Sequence, residues 1–238
     1  MLVDLYLDRL DVAQGEVDRL ASLLDPAEAE RARRFRQTIH RTRFIVRRAR
    51  LRAWLGARMG LAPDAVRIEP DSMGKPFVPG WNQHFSTSHS GDVMLIACAP
   101  VRIGCDIEAI CPDFAWRPVA ERFFAAEERQ ALAAMAEEPG RIAFFHCWAR
   151  KEAFVKALGT GLSYPLERFA VACQSHPGFV RGGRGWNLST TEVPGHALAV
   201  ATQTLHHRLR LTDRSAFSDR GELHSESGRC EDSQRVVV

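Results

Sequence analysis

From Leu2 to Leu10 apolar and polar positions alternate, which predicts an opening strand. Gln14 to Leu24 changes to helical spacing. Asp25-Pro26 starts the next helix, with Asp25 as N-cap and Pro26 in the first helical position. Glu28 and Glu30 suit the positive end of its dipole. A long helical region then runs to about Leu55, with Phe35, Ile39, Val46, Ala49, Ala53 and Leu55 as its buried stripe. Residues 66–70 predict a strand, Gly74-Lys75-Pro76 a turn, and the small, hydroxyl-rich Ser86 to Asp92 a loop. Val93 to Ala99 reads as a buried strand and Val101 to Ile110 as another. One helix is expected from Pro118 to Glu138, broken by Pro139-Gly140, and a second from about Arg141 to a stop at Gly159 and Gly161. A turn at Ser163 to Leu166, a strand at Phe169 to Cys173 and a Gly/Arg-rich loop to Gly185 follow. Trp186 to Thr191 and His196 to Thr204 read as a closing hairpin. Beyond Leu211 the chain is polar and aperiodic, which predicts a disordered tail over 212–238.

The stretch from Phe144 to Leu162 stands out. Phe145, Trp148, Val155 and Leu158 form a buried helix face, and Glu152 and Lys156, four apart, share another. Of 32 Lys plus Arg residues only Lys75, Lys151 and Lys156 are lysines. A flexible ammonium whose pKa shifts readily is not interchangeable with a guanidinium. Glu152 and Lys156 are thus either an ordinary surface pair or part of a charged site. On the strand at Val101 to Ile110, Asp106 and Glu108 project to one side and Ile103, Cys105 and Ile107 to the other. Two adjacent carboxylates repel unless a cation or base lies between them, and oxygen ligands with room for water and phosphate suit Mg²⁺. A solvent-facing strand edge is the plainer reading. Ser88-His89-Ser90-Gly91 either brings His89 to the mouth of a site or is a surface loop.

Composition narrows the class. At 238 residues, 45% hydrophobic and 26% charged, the chain suits a soluble protein of one large or two ordinary domains. No apolar run is long enough to span a bilayer and the N-terminus lacks a basic leader, so no membrane association and a cytoplasmic location are expected. Six scattered cysteines without CxxC pairs predict reduced, mostly buried thiols and no zinc site. The net charge is only +3, yet Arg31 to Arg58 holds eleven arginines and no acid. Such a run suits anions, whether nucleotide phosphates, nucleic acid or an acidic protein, or is simply a solvated basic face.

These residues, in this order, resemble the larger, two-lobed type of 4′-phosphopantetheinyl transferase: Gly74-Lys75-Pro76, Ser88-His89-Ser90-Gly91, Gly104-Cys105-Asp106-Ile107-Glu108, and Trp148 through Lys156 as WxxKEAxxK. The last runs on into Gly159-Thr160-Gly161-Leu162 and Pro165-Leu166, and the resemblance covers roughly Asp25 to Thr204. It implies an α+β fold of two similar α/β lobes related by pseudo-twofold symmetry, an N-terminal lobe over 1–100 and a C-terminal lobe over 101–211, with the active site in the cleft between them. It implies transfer of the phosphopantetheine arm of coenzyme A to a serine of an apo acyl or peptidyl carrier protein, releasing adenosine 3′,5′-bisphosphate, as a holo-[acyl-carrier-protein] synthase does. By the same resemblance Asp106, Glu108 and Glu152 would hold Mg²⁺, and Lys156 would neutralise phosphate charge. Lys75, His89 and Arg43 would bind coenzyme A phosphates, with Arg41 and Arg47 as alternatives to Arg43. Glu128 matches the proposed general base, with Glu127 as its rival. A monomer that binds no nucleic acid is expected, and the arginine run becomes a candidate docking surface for acidic carriers. Two other classes compete: a Mg²⁺-dependent phosphoanhydride hydrolase, and a non-catalytic nucleotide- or RNA-binding protein.

Overall fold

The computed structural model describes residues 1–174 and 176–211. Its first half comprises β1 (Leu2–Arg9), α1 (Gln14–Ala21), α2 (Pro26–Arg33), α3 (Thr38–Met59), β2 (Glu69–Pro70), β3 (Pro76–Phe77), β4 (His84–Ser90) and β5 (Val93–Ala99). The second half comprises β6 (Ile103–Ala109), α4 (Trp116–Phe123), α5 (Ala126–Ala133), α6 (Glu137–Leu158), β7 (Ala170–Val171), β8 (Phe179–Arg181), β9 (Asn187–Ser189) and β10 (His196–Thr202). The last strand, β11 (Arg208–Leu211), returns to pair in parallel with β1.

One topology is used twice. In the first half the strand order is β1-β5-β4, and in the second it is β6-β10-β9, with every one of these pairs antiparallel. Each half places a 22-residue helix between its first and last strand, α3 in one and α6 in the other. The two sheets share a core made by Val3, Leu5 and Leu95 on one side and Ile103, Ile107, Leu198 and Val200 on the other. The opposite face of β5 (Met94, Ile96, Cys98) packs on Val46 and Ala49 of α3. The opposite face of β10 (Ala197, Ala199, Ala201) packs on α6. β5 is covered on both faces, which is why its sequence is an unbroken apolar run.

Local chemistry explains where the elements differ from the sequence expectation. Ser86–Ser90 is strand, not loop, and of residues 66–70 only Glu69–Pro70 is strand. The single helix expected over 118–138 is two, α4 and α5. Ala125 is extended (φ −64°, ψ 157°) and its N–H donates to the Glu128 side chain, which caps α5. α6 starts at Glu137, so Pro139 lies in the first turn, where its missing N–H costs no hydrogen bond. Gly159, at φ 82°, ends α6 in the left-handed conformation that favours glycine.

Much of the arginine run is paired with acids, while Arg31, Arg36 and Arg41 stay exposed. Arg43 pairs with Asp11, Arg50 with Asp8 and Glu16, Arg48 with Glu28, and Arg58 with Asp4. Arg52, only 2% exposed, binds Asp25, Glu28 and the Val66 carbonyl. The acids missing from the run are delivered by β1, α1, α2 and the segments beside them. These five guanidiniums therefore offer no unpaired charge to an acidic carrier. Cys98, Cys105, Cys147 and Cys173 are free and buried, whereas Cys111 is disulfide-bonded, which corrects the all-thiol expectation. Among the described residues no helix is long and apolar enough to cross a membrane. The expected tail lies outside the described residues.

Candidate active site

Gly104 is where the site begins. A Cβ there would lie 2.1 Å from the Ala153 carbonyl oxygen and 2.3 Å from the Ala157 nitrogen, so only glycine lets α6 rest directly on β6. That close approach brings the turn carrying Glu152 and Lys156 to Asp106. Lys156 Nζ donates to Asp106 Oδ1 at 2.6 Å and to Ser88 Oγ at 3.0 Å.

β4 meets β6 through serine side chains. Ser86 Oγ accepts from Cys105 N at 3.1 Å, Ser88 Oγ donates to Asp106 Oδ1 at 2.6 Å, and Ser90 Oγ donates to Glu108 Oε2 at 3.1 Å while accepting from Ala109 N at 3.0 Å. Strand alternation then turns Thr87 and His89 the other way. Arg47 of α3 lies against the His89 ring, with Nη1 2.7 Å from Nδ1.

The carboxylates outnumber their cation. Asp106 Oδ2 and Glu152 Oε1 are buried and have no hydrogen-bond partner. Burial, and then the Asp106 charge, push the Glu108 carboxyl up to about 8 and that of Glu152 up to about 7. Burial opposes the charge on Lys156, but Asp106 and Glu152 together raise its pKa above the ordinary value. Among the described residues no three such groups close into a ready-made metal cage. Two orphaned oxygens, a third carboxylate and excess negative charge nonetheless fit a hard cation that keeps water and phosphate among its ligands.

Two adjoining cavities form a trench beside this cluster. One of about 240 Å³ is lined by Gly74, Lys75, Ser86, Thr87, Lys156, Gly159 and Gly161. The other, of about 460 Å³, shares Pro76 and Thr87 with it and continues past Phe44, Arg31, Arg47 and Arg48. A larger cavity of about 790 Å³, beside Ile142, His146 and Arg150 of α6, contains none of the expected site residues.

Of those residues, Asp106, Glu108, Glu152 and Lys156 gather at the cluster, Lys75 lines the smaller cavity with Lys156, and His89 lies against Arg47, which lines the larger one. Arg43 does not line the trench: it holds Asp11 bidentately at 2.7 and 2.8 Å, and Arg47 stands at His89 instead. Glu128, the expected general base, is engaged elsewhere. It is 1% exposed and accepts from Lys151 Nζ at 2.7 Å to each oxygen, from Ala125 N at 2.8 Å and from Val171 N at 2.7 Å. A carboxylate so enclosed has no face open to the serine of another protein in this structure. Its rival Glu127 is exposed and held by Arg181 at 2.7 Å; that hydrogen bond lowers its carboxyl to about 2, which makes it a weak base. Sequence reasoning did not assign roles to Ser86, Ser88 and Ser90. The signal was present: hydroxyls at a spacing of two, matching the acids at 106 and 108.

Residues 12–101 match the family model for the N-terminal domain of 4′-phosphopantetheinyl transferases, and residues 102–201 match that of the 4′-phosphopantetheinyl transferase superfamily. The chain belongs to this superfamily. The junction between the two matches falls in the β5–β6 connection, where the topology begins to repeat. A 4′-phosphopantetheinyl transferase of Bacillus subtilis is 34% identical over 172 residues, covering 70% of this chain and 73% of the relative. The transferase HetI of Nostoc sp. is 33% identical over 192 residues, covering 78% and 81%. The transferase psf-1 of Bacillus pumilus is 35% identical over 196 residues, covering 81% and 78%. The chain is thus a two-lobed phosphopantetheinyl transferase, an enzyme that transfers phosphopantetheine to carrier proteins.

Proposed function

We propose that coenzyme A is the donor and lies along the trench, with its diphosphate at Lys156 and its 3′-phosphate toward His89, Arg47 and Arg31. The carrier serine oxygen forms a bond to the phosphorus bearing the pantetheine arm. The bond from that phosphorus to the bridging oxygen breaks, adenosine 3′,5′-bisphosphate leaves with the electron pair, and the hydroxyl proton passes to solvent at the cleft. Lys156 meets the charge that develops on the departing phosphate. Asp106, Glu108 and Glu152 would hold Mg²⁺, which supplies charge neutralisation for the diphosphate when bound. One chain provides both walls of the trench, so a monomer suffices.

The observation that carries this reading is the pair of buried, unpartnered oxygens on Asp106 and Glu152, beside a single ammonium at the end of a basic trench. Calorimetric titration of Mg²⁺ into the protein with coenzyme A checks it. Saturable binding that is lost in Glu108→Gln and Glu152→Gln is expected. Binding that survives in both variants would contradict the assignment.

A further inference from the structure

The family resemblance makes Lys75 a phosphate ligand, yet its ammonium is engaged elsewhere. Nζ donates to the Ile103 carbonyl at 2.7 Å and to the Ala157 carbonyl at 3.4 Å. Ile103 is the first residue of β6 and Ala157 lies in the last turn of α6, so a side chain of the first lobe grips two elements of the second.

The last four carbonyls of a helix have no partner within it. In α6, Gly159 N answers the Lys156 carbonyl at 3.2 Å, Lys75 answers Ala157, and Arg102 answers Leu158 at 2.5 Å. Two cations therefore cap the negative end of the helix dipole from outside the helix, Lys75 across the lobe boundary and Arg102 from the inter-lobe connection.

The turn that presents Lys75 is tied by its own hydrogen bonds. Asp71 Oδ1 accepts from Met73 N and Lys75 N, each at 2.9 Å, and the Asp71 and Lys75 backbones pair at 2.8 Å. Gly159 packs against this turn: a Cβ there would be 3.8 Å from Lys75 Cδ and from Asp71 Oδ2.

We propose that Lys75 is a positioning residue for transfer, a cross-lobe clamp that fixes the turn of α6 bearing Glu152 and Lys156, and not a phosphate ligand. The inference rests on the reading of that turn as part of the reacting site. Gly104 sets how closely α6 approaches β6, and Lys75 sets where its end lies relative to the first lobe. Displacing that end moves Lys156 away from Asp106, so the loss falls on the reacting geometry more than on the affinity for coenzyme A. The charged and titratable groups around Lys75 are Asp71 on its own turn, His84 on β4, Arg102 in the connection, Cys105 on β6 and Lys156 on α6. Burial first, and then Arg102, lower the Lys75 ammonium to about 8. Above that pH the clamp loses its charge but the trench keeps its arginines.

The test compares Lys75→Met, Lys75→Arg and Glu152→Gln. It measures kcat and KM for coenzyme A, calorimetric Kd for adenosine 3′,5′-bisphosphate, and the pH profile of kcat. Lys75→Met should lower kcat about tenfold or more while both KM and Kd stay within about threefold. Lys75→Arg should recover most of kcat and remain active above pH 8, where wild-type kcat falls. A Lys75→Met enzyme with normal kcat and about tenfold weaker KM and Kd would make Lys75 a phosphate ligand and overturn the clamp. So would a Lys75→Met enzyme unchanged in all three beside an inactive Glu152→Gln. Full transfer by Glu152→Gln would instead overturn the site reading. Should Lys75→Met fail to fold, identical alkaline limbs for wild type and Lys75→Arg would count against the clamp.

Discussion

Neighbouring residues of α6 serve two opposite charge clusters. Lys151 meets Glu128 in the core of the second lobe, where the carboxylate accepts four hydrogen bonds from three donors and the ammonium also reaches the Phe169 carbonyl at 2.9 Å. One residue on, Glu152 joins Asp106 and Glu108 around Lys156, where buried oxygens go without partners. The first cluster is electrically closed and ties the start of α5, the middle of α6 and β7 together. The second is short of positive charge, so an added cation or proton stabilises it. A buried charge cluster that satisfies itself holds a fold. One that does not is ready to bind something.

The largest expected effect separates the two. Glu152→Gln should lower transfer about a hundredfold or more, while the metal-free variant melts at or above the wild-type temperature because a repelled charge is gone. Steady-state kinetics beside thermal unfolding would show it. A variant that loses stability as well as activity would blur the contrast. Lys151→Met should do the reverse. Leaving Glu128 buried and unpaired costs about 3–5 kcal/mol in denaturant unfolding, while kcat per folded molecule is kept.

The pH response sharpens the comparison. Glu108 and Glu152 titrate in the folded chain at about 8 and about 7, against an ordinary 4.5. Both folded values lie above the unfolded one. The stability contributed by their protonated forms is therefore complete below pH 4.5 and lost as pH rises through 7 and 8. Stability curves of the metal-free wild type and Glu152→Gln should diverge over that window, with the variant more stable at the alkaline end. Parallel curves would show that the carboxylates are not strained. The smallest effect concerns the trench. Arg47→Ala should raise KM for coenzyme A about tenfold and Arg43→Ala less than about twofold, because only the first stands at His89.

Much of this was legible in the chain. The N-cap at Asp25, the stop at Gly159 and the paired acids on β6 follow from local chemistry, and the structure has all three. β4 was not recognised as a strand because its inward face is serine. Those hydroxyls are buried against the backbone and acids of β6, so the strand carries little of the apolar alternation that marks others. β11 was missed because its partner, β1, lies at the other end of the sequence. The roles of the arginines and of Glu128 depended on partners distant in sequence: Asp8, Asp11 and Glu16 for the first, Lys151 and Val171 for the second. No local pattern distinguishes a paired charge from an unpaired one.

The most direct test is intact-mass spectrometry of an apo carrier protein incubated with this transferase, coenzyme A and Mg²⁺, beside EDTA and Glu152→Gln controls. A gain of one phosphopantetheine group, abolished by EDTA and by the substitution, is the predicted result. Modification that persists in EDTA and in the variant would contradict the claim that the underpaired carboxylates are the metal-dependent reacting site.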